Sequence, residues 1–119
     1  MNWDGSIPFA DFLADWEQAT ADRSFRPRIG DSSTDAAHRF LAGLDELVAT
    51  IEDGSLAIVV AHGGVTVDTL RTILGDDALT LAAPTLIDDG VPSAAITRLE
   101  RSDAGWSVVA LPSAAHLTG

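Results

Sequence analysis

Three histidines are the residues best placed to do chemistry: His38, His62 and His116. They lie too far apart in sequence to form a local metal-binding motif, so no metal is expected. His38 stands beside Arg39 inside a helical pattern and off its apolar stripe, which reads as an exposed helix residue. His116, in Pro112-Ser-Ala-Ala-His-Leu117 near the C-terminus, reads as structural or solvent-facing. His62 follows the apolar run Leu56-Ala-Ile-Val-Val60 and precedes Gly63-Gly64 and a helical segment. Open α/β sheets bind ligands at this strand-to-helix position. Glycine allows close backbone approach, and a helix N-terminus favours an anion. An imidazole there can donate to a phosphoryl oxygen or attack phosphorus as a nucleophile. The competing reading is a tight turn whose glycines only satisfy geometry, and the local residues leave the two evenly matched.

Several chemistries are excluded by composition. The chain has no Cys, which removes disulfides, thiolate nucleophiles and Cys-ligated metals. It has no Lys either, which removes Schiff-base chemistry and the Walker A loop. No Gly-x-Gly-x-x-Gly occurs, so no dinucleotide cofactor is implied, and no cofactor of any kind is expected. His62-Gly-Gly64 is similar to an esterase oxyanion loop, but the required Gly-x-Ser-x-Gly elbow is absent: Gly30-Asp-Ser-Ser-Thr34 comes nearest and lacks its second glycine. The adjacent acids Asp45-Glu46, Asp76-Asp77 and Asp88-Asp89 read as solvated surface.

The elements that must position His62 can be read from periodicity. A helix is predicted from about Pro8 to Ala21, with Phe9, Phe12, Leu13 and Trp16 on one face. A second runs from about Ser33 to Glu52, its stripe formed by Ala37, Phe40, Leu41, Leu44, Leu47, Val48 and Ile51. Ser32 is the candidate N-cap, Asp35 favours the first turn, and Gly54 is placed to end the helix. Leu56–Val60 reads as a strand buried on both faces. A third helix follows from about Thr66 to Leu74, with Val67, Leu70, Ile73 and Leu74 inward and Gly75 as its stop. Residues 76–90 read as irregular. Strands near Ala94–Glu100 and Trp106–Leu111 are joined by a hairpin turn at Ser102–Gly105. The fold class is therefore α/β, in one domain spanning residues 1–119. The buried strand wants neighbours on both sides, and the C-terminal pair is already occupied with itself.

The balance of 18 acids against 7 Arg gives a net charge of -11, spread over both halves. No nucleic acid and no anionic membrane is expected as a partner. No apolar run reaches the roughly 18 residues of a membrane span, and no signal peptide is visible, so the cytoplasm is the expected location.

Three segments in order carry a family resemblance: Gly30-Asp-Ser-Ser-Thr-Asp-Ala-Ala-His-Arg39, Ile58-Val-Val-Ala-His-Gly-Gly64, and Gly105-Trp-Ser-Val-Val-Ala-Leu111. With Trp3-Asp-Gly5 near the start and Ala115-His-Leu117 near the end, the chain resembles the C-terminal part of the histidine phosphatase superfamily, of the phosphoglycerate mutase-like type. The resemblance implies a partial three-layer α/β sandwich that lacks the family's N-terminal Arg-His-Gly strand. It implies that His62 is the second active-site histidine, catalytic in binding and stabilising the transferring phosphoryl group, with the Gly63 amide beside it. Asp31 matches the Glu of the family's Gly-Glu-Ser stretch, with helix capping the only role assigned to it.

The family's nucleophilic histidine, its phosphate-binding arginines and its acid carboxylate lie in segments with no counterpart here, since the sequence contains no Arg-His-Gly. The missing first strand would be the neighbour of Leu56–Val60. The reading is thus a phosphatase or phosphomutase relative acting on phosphomonoesters, truncated at its N-terminus and inactive in this form. The alternatives are a non-catalytic anion-binding or interaction module on the same fold, or a start codon assigned too late. The implied partner is a small phosphorylated metabolite or inorganic phosphate. A homodimer is expected if the unpaired apolar strand finds a second copy.

Overall fold

The computed structural model describes residues 3–118. Helix α1 (Phe9–Ala21) starts after Pro8, whose ring suits a first turn and whose carbonyl accepts from the Asp11 and Phe12 amides. Of its apolar face only Phe12 is buried; Phe9, Leu13 and Trp16 are exposed. The inward face expected of α1 is therefore mostly outward, and its aromatics cover one another instead. Trp3 meets Phe9 edge-on at 5.2 Å, and Phe9–Phe12 and Phe12–Trp16 follow at 6.1 and 6.0 Å.

Helix α2 (Ser33–Val48) has the expected N-cap: the Ser32 hydroxyl accepts from the Asp35 amide at 3.2 Å. It ends four residues sooner than predicted. The Thr50 and Ile51 amides turn back to the Leu47 and Val48 carbonyls, and Gly54, at φ 81°, belongs to the turn beyond. On the predicted stripe, Ala37 is fully buried, while Phe40, Leu41, Leu44, Leu47, Val48 and Ile51 are only half-buried.

The predicted strand at Leu56–Val60 does not form. These residues pair with no strand, and Leu56, Ile58 and Val60 are 79%, 87% and 95% exposed. Composition selects this run for a sheet interior, but a ladder needs neighbours, and none of the described strands reaches it. Helix α3 (Gly63–Leu74) starts earlier than predicted, so both glycines belong to its first turn; Gly75 closes it at φ 82°. Residues 76–90 are not irregular: α4 (Asp76–Ala82) and α5 (Leu86–Asp89) each bury one leucine, Leu79 and Leu86.

Strands β1 (Ile96–Ser102) and β2 (Gly105–Ser113) make an antiparallel hairpin, in the register Ser102↔Gly105 to Ile96↔Ser113. A short 3-10 helix, Ala115–Thr118, follows. The core is Val67, Leu70, Leu79 and Leu86, with Leu99, Val108 and Leu111 of the hairpin against it. Helix α3 is its centre, packed on α2, α4 and β2. The mixed α/β class holds. Its sheet is reduced to one hairpin among the described residues.

Candidate functional site

Helix α3 presents the candidate site at its N-terminus. His62 is the N-cap, in extended backbone, and its carbonyl accepts from the Thr66 amide at 3.3 Å and the Thr66 hydroxyl at 3.2 Å. Its side chain does not cap the helix and is exposed. An open first turn leaves backbone amides without intrahelical partners, and the helix dipole adds partial positive charge there.

The glycines that follow are not required by the fold. Neither Gly63 nor Gly64 adopts positive φ. A Cβ on Gly63 would sit in ordinary contact with the Val91 side chain at 3.4 Å, and one on Gly64 would meet open space. Two glycines in a helical turn cost helix propensity, about 1 kcal/mol each relative to Ala. Turn geometry, the competing reading from sequence, does not account for them.

A cavity of about 270 Å³ opens beside Gly63 and Gly64 and is lined also by Trp16, Ser33, Asp68 and Arg71. Asp31, Asp88 and Asp89 line it too, so carboxylates dominate its charge. Arg71 is its one lining cation among the described residues, and that charge is already engaged. Its guanidinium makes a bidentate pair with Asp76, Nε to Oδ1 at 2.8 Å and Nη2 to Oδ2 at 2.7 Å. The pair holds the Asp76 carboxyl below its ordinary range and raises the Arg71 guanidinium. His62 is not among the lining residues.

Behind the helix start, a polar network locks three segments together. Arg23 Nε donates to the buried Ser33 hydroxyl at 3.0 Å, and Arg23 Nη2 donates to the Asp68 carbonyl at 2.9 Å and the Thr72 hydroxyl at 2.7 Å. Ser33 in turn donates to the Asp68 carboxylate at 2.6 Å. Burial, with Arg71 nearby, lowers the Arg23 pKa from its ordinary value. Arg28 fixes the loop after α1: its Nε and Nη2 bracket Asp15 at 3.0 and 2.9 Å, and its amide adds a bond at 2.9 Å. Those bonds hold the Asp15 carboxyl below its usual range.

Sequence reasoning missed Arg23, Arg28 and Arg71. Their partners lie on other elements or beyond a helix end, and only Arg71 with Asp76, close in sequence across Gly75, offered a local signal. Asp31, left with no role beyond helix capping, does not cap α2: Ser32, the candidate N-cap, does, and Asp31 pairs with Arg39. Asp45 and Asp76, read as solvated surface, both make ion pairs. His38 is exposed on α2, as expected, and His116 is exposed in the 3-10 helix. The structure does not bring the three histidines into one metal-binding group: no such group of His, Asp and Glu occurs among the described residues.

The family model for the histidine phosphatase superfamily (branch 1) matches residues 5–113. The chain belongs to that superfamily. No curated protein and no solved structure matches it. The match takes in α1, α3 and the whole hairpin, so the superfamily assignment covers both the candidate site and the sheet. No helix among the described residues is long and apolar enough to cross a membrane.

Proposed function

We propose that this histidine phosphatase superfamily chain binds the phosphoryl group of phosphomonoesters, or inorganic phosphate, at the N-terminus of α3. In this reading His62 donates through its imidazole, and the amides of Gly63 and Gly64 receive the remaining oxygens. The observation that carries it is the glycine pair, which neither backbone conformation nor steric contact demands. Family membership supports the phosphatase or mutase type of chemistry. The phosphohistidine route needs a nucleophile from an Arg-His-Gly segment, and the sequence has none. In this reading His62 binds the phosphoryl group and does not accept it covalently.

Affinity is low in this reading. One imidazole and one helix terminus attract the anion, while Asp31, Asp68, Asp88 and Asp89 line the adjacent cavity and the chain carries -11 overall. That balance places the dissociation constant in roughly the millimolar range. Calorimetric titration of phosphate into the native chain and into His62→Ala tests it. Millimolar binding that weakens severalfold in the variant is expected. Equal binding by both proteins would remove His62 from the site.

A further inference from the structure

Arg23 belongs to no helix and no strand, yet it reaches both α2 and α3 where they open on the cavity beside Gly63 and Gly64. It stands half-buried in the turn after α1. Its backbone carbonyl accepts from the Thr34 amide at 3.1 Å, which satisfies one donor of the first turn of α2. Its guanidinium then spans the two helices. Nε donates to the Ser33 hydroxyl on α2, and Nη2 donates to the Asp68 carbonyl and the Thr72 hydroxyl on α3. Ser33 closes the ring from its own side by donating to the Asp68 carboxylate.

The ring fixes more than a distance. One planar, rigid fork supplies every bond from the Arg23 side chain, so it sets the angle between the helix starts as well as their separation. Its anchor on α3 lies close to the proposed phosphate amides: Asp68 stands four residues beyond Gly64, on the same helix face and about 6 Å along the axis. Ser33, Gly64 and Asp68 line one cavity, and Arg23 itself does not. Arg28 gives the contrast. Its side chain also makes several polar contacts, but all of them go back to α1, through Asp11 and Asp15.

We propose that Arg23 is the positioning residue of the α3 N-terminus: its guanidinium sets where the Gly63 and Gly64 amides stand against the start of α2, and it keeps the Asp68 carboxylate bonded to Ser33. It acts through Ser33 and Asp68 and touches no ligand. A helix is stiff over a single turn, so a shift at Asp68 carries to Gly64. Without the fork, Ser33 loses the donor that orients its hydroxyl, and the Asp68 carboxylate loses a cation close behind it. Both changes disfavour an anion at the helix start. The consequence for binding rests on the phosphate reading above; the positioning itself does not.

Amide NMR spectra of the native chain, Arg23→Met, Arg23→Lys and Arg28→Met test this, first without ligand and then with inorganic phosphate. Arg23→Met keeps an apolar stem and removes the fork. Arg23→Lys keeps the charge but offers a single donor centre, which cannot bridge Ser33 and Thr72 together, so it serves as the milder variant if Arg23→Met does not fold. Arg28→Met is the control for a lost guanidinium that ties only to α1. In the ligand-free chains both Arg23 variants should move the Gly63 and Gly64 amide signals, to which the guanidinium donates nothing, and Arg28→Met should leave them in place. With phosphate, the Arg23 variants should bind at least about threefold more weakly than the native chain, and Arg28→Met should bind equally. Gly63 and Gly64 signals that stay in place in a folded Arg23 variant would overturn the proposal, as would a variant that binds phosphate as tightly as a native chain that binds it. A native chain that does not respond to phosphate would remove the phosphate reading alone, and the ligand-free comparison would still decide the positioning.

Discussion

The Trp106 indole donates to the Asp45 carboxylate at 2.9 Å, joining hairpin to helix α2 across 61 positions of sequence. Arg101 reinforces the bond, with Nε on the same carboxylate oxygen at 3.1 Å and its guanidinium 5.9 Å from the Trp106 ring centre. All three residues line a cavity of about 1090 Å³ between α2 and β1. This clamp holds the hairpin against α2. Asp45→Ala removes both bonds. Because the groups are half-exposed, the loss should be about 1 kcal/mol, read as a lower urea midpoint at unchanged slope. A midpoint equal to the native value would mean that the clamp contributes nothing.

The small core carries the fold. Leu79 is fully buried on a helix of only seven residues, against Leu70 and Leu86. Leu79→Ala should cost about 2–5 kcal/mol, a large part of the 5–15 kcal/mol typical of domains. With the α2 stripe half-covered, that loss should leave the variant largely unfolded at room temperature by circular dichroism. The native chain itself should melt below about 60 °C. A cooperative transition above that would show that this small core suffices for ordinary stability.

Acid should unfold the chain through Asp15 and Asp76. Arg28 and Arg71 hold these two carboxyls below their ordinary value of 3.8. A folded pKa lower than the unfolded one gives stability that is fully present above the unfolded pKa. It is lost as pH falls through about 4 and on through the folded values. Urea midpoints measured from pH 6 down to 3 should fall steeply below pH 4, and Asp76→Asn should fall less steeply from a lower start. Identical pH profiles for native and variant would contradict this assignment.

The start of α2, the end of α3 and the hairpin were legible in the sequence because they depend on local signals: the Ser32 cap, the Gly75 stop and the turn before Gly105. The family was legible from the ordered motifs around Asp31, His62 and Trp106. What was not legible depended on partners. Leu56–Val60 has the composition of a buried strand but pairs with none of the described strands. The aromatics of α1 have the spacing of a core face and pack on each other in solvent. The Arg23, Ser33 and Asp68 network joins residues far apart in sequence, which no local pattern announces.

Helix stability and ligand binding should oppose each other at the start of α3. Gly64→Ala places a methyl group in open space at a helical position, so it should stabilise the chain by about 0.4–1 kcal/mol. The same methyl stands at the proposed phosphate site and should weaken phosphate binding. Paired thermal melts and phosphate titrations read both effects. A variant that is more stable and binds phosphate equally well would mean that the glycine serves no ligand.

Turnover of a phosphomonoester should be absent. Without an Arg-His-Gly nucleophile the covalent step has no acceptor, and His62 alone would have to supply it. Incubation with a labelled phosphomonoester should yield neither repeated hydrolysis nor acid-labile phosphoprotein. A labelled His62 adduct with multiple turnovers would make this residue the nucleophile.

The most direct test of the account is a histidine-resolved NMR titration with inorganic phosphate. The chain offers its own controls, because His38 on α2 and His116 in the 3-10 helix are exposed, as His62 is, but lie outside the α3 N-terminus. Phosphate in the millimolar range should move the ring signals of His62 and the amide signals of Gly63 and Gly64, and leave the other two histidines in place. Movement of His38 or His116 with His62 unchanged would contradict the site.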